Sequence, residues 1–291
     1  MATANERRRA LRALIQVPGI VVAPSAHDGL TAMLIEQAGF SAVHVSGSGV
    51  ARSFGYADVG LVTATEMVAV HERIVEATTI PVVGDAETGY GSAVNVVRSV
   101  RAYERSGVSA IHLEDDYTPK QPGGNPDIPH GAIPVAEMVG KLRAALDART
   151  DPDFLIIARS NARDAESFET LLERLHAYEA AGVDAIWPGV RAPEELEKLR
   201  GPLHLPFVGV PPRPRVNAYQ YADYGFKIAC LPGTLGQAAT AAMQTVLQAM
   251  KTSGDGEEYF AAIPTGGAAK RWYGRIGMDQ VERIESQFGG H

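Results

Sequence analysis

The segment Pro81-Val82-Val83-Gly84-Asp85-Ala86-Glu87-Thr88-Gly89-Tyr90-Gly91 carries the clearest chemistry of the chain. A β-branched run ends in two carboxylates one residue apart and then a glycine-rich turn, so both acids fall where a strand gives way to a loop. Residues two apart on a strand share a face, which points Asp85 and Glu87 the same way. A second acid pair, Glu114-Asp115, closes the apolar run Ala110-Ile111-His112-Leu113. Carboxylates at the same end of neighbouring strands repel unless a cation lies between them, and an oxygen-only donor set suits Mg²⁺, with Mn²⁺ as the alternative. Asp58, on the loop after the second apolar run, completes an acidic ring. For Asp58 and Asp115 an ordinary helix cap is the competing reading.

Two further groups belong with these acids. Arg159 closes the run Phe154-Leu155-Ile156-Ile157-Ala158 and is followed closely by Asn161. A lone guanidinium at a strand end needs an anionic partner, and its planar fork suits either Glu114 or a substrate carboxylate. The small residues Ser46-Gly47-Ser48 let backbone N–H groups approach an anion, unless they form a plain turn. A cation flanked by an arginine and backbone donors is a site for a 2-oxo or 2-hydroxy acid that loses a fragment and leaves an enolate. No serine triad is evident among the eight histidines; His44 and His112 fall mid-strand and read as barrel-lining. Cys230, the one cysteine, lies in the apolar run 226–231 and reads as a buried thiol with no disulfide.

The elements that must position these groups repeat along the chain. Short apolar runs at Gly19–Ala23, Ala42–Val45, Pro81–Gly84, Ala110–Leu113, Phe154–Ala158, Ala185–Pro188, Pro206–Val210 and Lys227–Leu231 predict eight strands. Between them, apolar residues at helical spacing predict helices at 30–38, 64–77, 93–106, 135–146, 167–181, 193–199 and 236–250. Three helices end in one phrase before a strand, around Gly39, Gly107 and Gly182, with glycine where a left-handed residue closes a helix. Alternation of this kind builds parallel strands with crossover helices, and eight units close a (β/α)₈ TIM barrel. An open doubly wound sheet would need a phosphate fingerprint, which Ser46-Gly47-Ser48-Gly49 does not supply.

The expected organisation is a single barrel domain over 1–291, with 253–291 as a C-terminal helical appendage that packs on a partner subunit or on its own barrel. The glycine- and proline-rich connection 119–134, with Lys120, Asn125, Asp127 and His130, reads as a mobile flap over the site. With 291 residues, 45% of them hydrophobic, the chain can fill such a core. A formal charge of −7 offers no broad basic surface, which favours a small carboxylate substrate over nucleic acid. No apolar stretch reaches membrane-spanning length, and the basic start at 6–12 is followed by no long apolar stretch, so a cytoplasmic protein is expected.

The motifs Ala26-His27-Asp28-Gly29-Leu30-Thr31-Ala32, Val45-Ser46-Gly47-Ser48, Asp58-Val59-Gly60-Leu61-Val62-Thr63, Asp85 to Gly91, Leu113-Glu114-Asp115 and Ala158-Arg159-Ser160-Asn161-Ala162, in this order, resemble the isocitrate lyase and phosphoenolpyruvate mutase superfamily. The resemblance covers nearly the whole chain. It implies a TIM barrel, a homotetramer with a swapped C-terminal helix, Mg²⁺ at the strand ends and chemistry through a pyruvate enolate. It also implies that Asp85 contacts the metal while Asp58, Glu87 and Glu114 hold its water shell. Ser46, Gly47 and Ser48 then take the substrate carboxylate, with Asn161 beside them, and Arg159 binds the oxyanion, so that Arg159, Asp58 and Glu114 are the catalytic set.

The departures narrow the reaction. The lyases carry a cysteine on the flap, where this chain reads Lys120-Gln121-Pro122-Gly123-Gly124; Gly189 stands where they carry a glutamate, and Glu87 where an aspartate is usual. At 157–162 and at Gly189-Val190-Arg191 the chain looks similar to the oxaloacetate decarboxylase-like members, which the resemblance therefore favours. The expected function is Mg²⁺-dependent carbon–carbon cleavage or decarboxylation of a small 2-oxo or 2-hydroxy dicarboxylate, oxaloacetate decarboxylase-like or methylisocitrate/dimethylmalate lyase-like. The alternatives are a phosphonomutase-type enzyme acting on a phosphorus–carbon bond and a non-catalytic barrel that binds a keto acid.

Overall fold

Each of the eight apolar runs becomes a strand, and the strands close in sequence order into one parallel barrel in which β1 pairs with β8. The strands of this computed structural model are β1 (Val21–Ala26), β2 (Val43–Val45), β3 (Val82–Asp85), β4 (Ala110–Glu114), β5 (Leu155–Arg159), β6 (Ala185–Trp187), β7 (Phe207–Gly209) and β8 (Phe226–Leu231). The structure describes residues 2–118, 131–212, 217–256 and 276–289. The helices are α1 (Ala4–Gln16), α2 (Gly29–Gln37), α3 (Gly47–Ser53), α4 (Ala64–Ala77), α5 (Ala93–Arg105), α6 (Val135–Ala148), α7 (Phe168–Ala180), α8 (Pro193–Leu199), α9 (Thr234–Ser253) and α10 (Met278–Phe288). The (β/α)₈ expectation is met, and a C-terminal helix is present.

Alternation along the strands sorts side chains between two cores. Val43, Val45, Val82, Ile111, Ile156 and Ile186 face outward and pack with helix residues such as Met67, Ile74, Met138, Leu142 and Leu175. Each such side chain, when fully buried, contributes about 1.5–3 kcal/mol. Val21, Ala23, Ala42, Val83, Ala110, Leu155, Ile157 and Trp187 form a separate cluster inside the barrel. Leu11 and Ile15 of α1 belong to that inner cluster, so the N-terminal helix plugs the barrel.

Local chemistry fixes the helix ends. Thr63 and Glu66 form a capping box at the start of α4, and Asp28 caps α2 by accepting from Thr31 N–H at 2.7 Å. Gly39, Gly107 and Gly182 have φ of 86°, 87° and 96°, the left-handed values their place in the repeated phrase requires.

Two helices were not anticipated. The basic N-terminal stretch is α1, whose Arg7 donates to Val75 O at 3.1 Å and Thr78 O at 3.0 Å. Arg8 donates to Val108 O at 3.1 Å and to Glu104 O, and pairs with Asp151 at 2.9 Å. Ser46-Gly47-Ser48 is the start of the short helix α3.

Packing divides the chain into two units, Met1–Gly236 and Gln237–His291. Most of α9 thus falls in the C-terminal unit, ahead of the boundary at 253 expected from the sequence. Both ends of the connection after β4 are held together: Asp116 and Ala132 form an antiparallel bridge, Tyr117 N–H donates to Gly131 O at 3.1 Å, and Ile133 N–H to Asp115 O at 2.7 Å. The flap's Lys120, Asn125, Asp127 and His130 lie outside the described residues, as do Trp272 and Tyr273 of the tail. Among the described residues no helix is long and apolar enough to cross a membrane.

Candidate active site

The inward alternation that fills the barrel with Val83, Ala110, Leu155 and Ile157 continues to the carboxyl ends of the strands as Asp85, His112, Glu114 and Arg159. Register sets Asp85 beside His112, Glu114 beside Arg159, and Arg159 beside Trp187. This is the end of a parallel barrel where loops gather and chemistry is placed.

Asp85 is buried, and its carboxyl accepts from two backbone donors: Gly47 N–H to Oδ2 and Glu87 N–H to Oδ1, both at 2.9 Å. Its own carbonyl accepts from the Tyr103 hydroxyl at 2.8 Å. Gly47 therefore gives its N–H to Asp85. A Cβ at Gly47 would collide with Glu87 Oε1 and lie 2.9 Å from Asp85 Oδ2, so glycine is what lets α3 approach the two acids. Glu87 sits at φ 52°, a left-handed conformation that costs a non-glycine residue about 1 kcal/mol or more. Its carbonyl is tied to the Glu114 N–H at 2.9 Å, which locks the β3 and β4 loops together.

Glu114 is fully buried and ion-paired with Arg159 at 3.1 Å. Of the two partners foreseen for the guanidinium, the structure brings in Glu114. Arg159 Nε donates to Asn161 Oδ1 at 3.2 Å, and its fork lies 4.8 Å from the Trp187 ring centre. Asn161 Nδ2 reaches Glu114 Oε2 at 3.2 Å and Asp116 Oδ2 at 2.9 Å. Ser46 and Ser48 share a hydroxyl hydrogen bond at 3.0 Å, and Arg52 donates to Ser48 at 3.3 Å. Asp58 is half-buried on the loop between α3 and α4, following β2 as expected.

Two acids have roles that sequence reading did not give them. Asp115 is no helix cap: wholly buried, it accepts from Ser160 Oγ at 2.6 Å, Asn161 N–H at 2.9 Å and the Tyr178 hydroxyl at 2.8 Å, which fastens the β5 loop and α7 to β4. Asp116 was not singled out at all. Burial, and then the neighbouring Glu114, pushes its carboxyl up to about 6. The one available signal was the run Glu114-Asp115-Asp116, in which alternation turns the first and third acids to one side.

The electrostatic balance is negative. Burial works against the charge on Arg159, yet Glu114, then Asp85, Glu87 and Asp116, hold it protonated above its ordinary range. Among the described residues, one guanidinium thus faces four carboxyl groups. Among the described residues, no three His, Cys, Asp or Glu side chains converge into a metal-holding group. By donor chemistry the set still fits a hard divalent ion: its donors are carboxylate oxygens, and Gly47 lets Asp85 and Glu87 lie close together against α3. Cys230 is free and buried, and burial pushes its thiol far up, so it contributes no nucleophile.

The profile of the family described as phosphoenolpyruvate phosphomutase matches residues 11–251. The chain is 46% identical over 191 residues to the 2,3-dimethylmalate lyase of Eubacterium barkeri, a match spanning 65% of this chain and 65%, just under two thirds, of that relative's length. It is 40% identical over 213 residues to the oxaloacetate decarboxylase of Chromohalobacter salexigens, across 72% of each. Among solved structures, phosphonopyruvate hydrolase in complex with oxalate and Mg²⁺ is similar at a TM-score of 0.86 and 30% identity, covering 98% of this chain and 99% of that one.

Proposed function

From the premise that this chain belongs to the phosphoenolpyruvate mutase and isocitrate lyase superfamily, we propose that it is a carbon–carbon lyase acting with Mg²⁺ on a small 2-oxo or 2-hydroxy dicarboxylate. The observation that carries this reading is a single guanidinium, Arg159, set among Glu114, Asp85, Glu87 and Asp116 at the barrel mouth. Asp85, Glu87, Glu114 and Asp58 are the residues that would hold the cation. When bound, Mg²⁺ supplies a Lewis acid that polarises the oxygens of a 2-oxo acid and steadies negative charge as it develops.

The chain's own groups do the rest. Ser46 and Ser48 receive the substrate carboxylate beside Gly47, whose N–H is committed to Asp85, and Asn161 orients the reacting end. Arg159, packed on Trp187 and braced by Glu114, offers N–H donors to the oxygen that becomes the enolate. Decarboxylation is favoured over retro-aldol cleavage. It breaks the bond from C3 to the departing carboxylate and sends that electron pair to the enolate oxygen; carbon dioxide leaves, and C3 then takes a proton. No base is needed to strip a hydroxyl, so the step tolerates a flap without the lyases' cysteine. The oxaloacetate decarboxylase relative supports this choice.

The test is to incubate the purified protein with Mg²⁺ and malate, citrate and oxaloacetate analogues and to measure pyruvate. Asp85→Ala is expected to abolish metal-dependent turnover, and full activity in that variant would remove the cation from the mechanism. A second reading, phosphorus–carbon chemistry, draws on the phosphonopyruvate hydrolase likeness. It requires phosphonopyruvate turnover by phosphorus NMR, and silence there rules it out. We further infer a homotetramer in the cytoplasm, with the C-terminal helix engaged between subunits; the exposed apolar residues Met278, Val281 and Ile284 of α10 support that contact.

A further inference from the structure

Beneath the acids, the barrel interior holds a line of polar groups that the reaction does not use. Ser25 Oγ on β1 lies 2.6 Å from His44 Nδ1 on β2. His44 Nε2 lies 3.2 Å from Nε2 of His112 on β4. His112 Nδ1 in turn lies 3.6 Å from Asp85 Oδ1 on β3. All four residues are buried, His112 completely. The two imidazoles stack with centroids 5.4 Å apart, and Trp187 packs against both, at 4.6 Å from His112 and 5.9 Å from His44.

With both rings neutral, the geometry allows one direction of donation. Two Nε2 atoms at hydrogen-bond distance share a single proton, so one ring donates and the other accepts. A bare Nδ1 on His112 would set its lone pair against the Asp85 carboxylate in a dry interior, where such opposition is costly. His112 therefore carries its proton on Nδ1 and accepts through Nε2. His44 must then donate from Nε2 and accept, through Nδ1, the hydroxyl proton of Ser25. Burial, and the neighbouring His112, hold His44 far below the ordinary histidine range, in keeping with a neutral ring.

We propose that His44, oriented by Ser25, is a positioning residue: it fixes the His112 tautomer whose Nδ1–H faces Asp85 and so keeps that carboxylate aimed at a divalent cation. The proposal rests on the reading of Asp85 as a metal ligand. At 3.6 Å the contact with Asp85 is electrostatic rather than a full hydrogen bond; a support that orients a ligand, when removed, typically weakens metal affinity about 10–100-fold.

The test combines metal titration with nitrogen NMR of ¹⁵N-histidine-labelled protein. In the wild type without added metal, His112 is expected to show a protonated Nδ1 and a bare Nε2. His44→Phe keeps a ring of similar volume but no nitrogen; it is expected to weaken Mg²⁺ binding in calorimetry by about tenfold or more and to mix the His112 tautomers. Ser25→Ala, a smaller change that carries the same comparison should His44→Phe fail to fold, is expected to shift both readouts the same way. A wild-type His112 protonated at Nε2, or Mg²⁺ affinity unchanged in both variants, overturns the proposal. Asp85→Ala separates the two readings: undiminished Mg²⁺ binding there overturns Asp85 as a ligand, while the nitrogen spectrum of the metal-free protein judges the tautomer by itself.

Discussion

Asp116 shows how burial beside a like charge becomes measurable. Its carboxyl is raised from 3.8 to about 6, first by burial and then by Glu114. A raised value means the folded chain binds this proton more tightly than the unfolded one. The stability it gives is fully present below the ordinary aspartate value and is lost as pH rises through about 6. Asp116→Asn removes that titration, so the stability of the wild type relative to the variant should fall by on the order of 3 kcal/mol between about pH 4 and pH 7. Urea unfolding at stepped pH reads this directly, and a flat difference would place Asp116 at an ordinary carboxylate. Arg159 gives a sharper kinetic test. It spans Glu114, Asn161 and the Trp187 face at once, which an ammonium cannot do. Arg159→Lys is expected to lower kcat/KM for pyruvate formation roughly 100-fold.

At the scale of the elements, α1 matters more than its surface-like sequence suggests. Its arginines satisfy carbonyls at the ends of α4 and α5, where positive charge also meets the negative helix terminus, and Leu11 seals the inner core. Leu11→Ala should cost about 2–5 kcal/mol in urea unfolding, because the barrel interior cannot collapse around the gap. The start of α3 is constrained differently. Gly47→Ala is expected to leave the barrel folded while displacing Glu87 and Asp85, seen as Mg²⁺ affinity reduced about tenfold or more in calorimetry. A variant with wild-type affinity would show that the acids move freely.

For the whole molecule, the question is what covers the apolar side of the C-terminal helix. Met278, Val281, Ile284 and Phe288 are exposed and recur at helical spacing along α10, a pattern that rarely stays in water. If this stripe engages another subunit, Ile284→Glu places a charge in the contact, and light scattering should report a smaller assembly than the wild type. An unchanged mass would remove α10 from the interface.

Much of this protein is legible without coordinates. The eight apolar runs, the three glycine-closed helices and the inward phase of Asp85, Glu114 and Arg159 follow from local periodicity, which acts within a few residues. What escaped is what depends on partners distant in the chain. Arg7 and Arg8 lie in a basic start for which the sequence predicts no element, and the carbonyls that accept their hydrogen bonds are 68 and 100 residues away. For Asp115 a cap was the competing reading, but its partners lie just after β5 and on α7. Asp116 gained its perturbed carboxyl only when burial set it beside Glu114, whereas the Glu114–Arg159 pair, one of two foreseen, formed where β4 runs beside β5. Sequence determined which residue types arrive at the barrel mouth and on which face; the tertiary structure alone decided which charges meet and how dry their surroundings are, because electrostatic energy depends on distance and burial across strands that the order of residues does not contain.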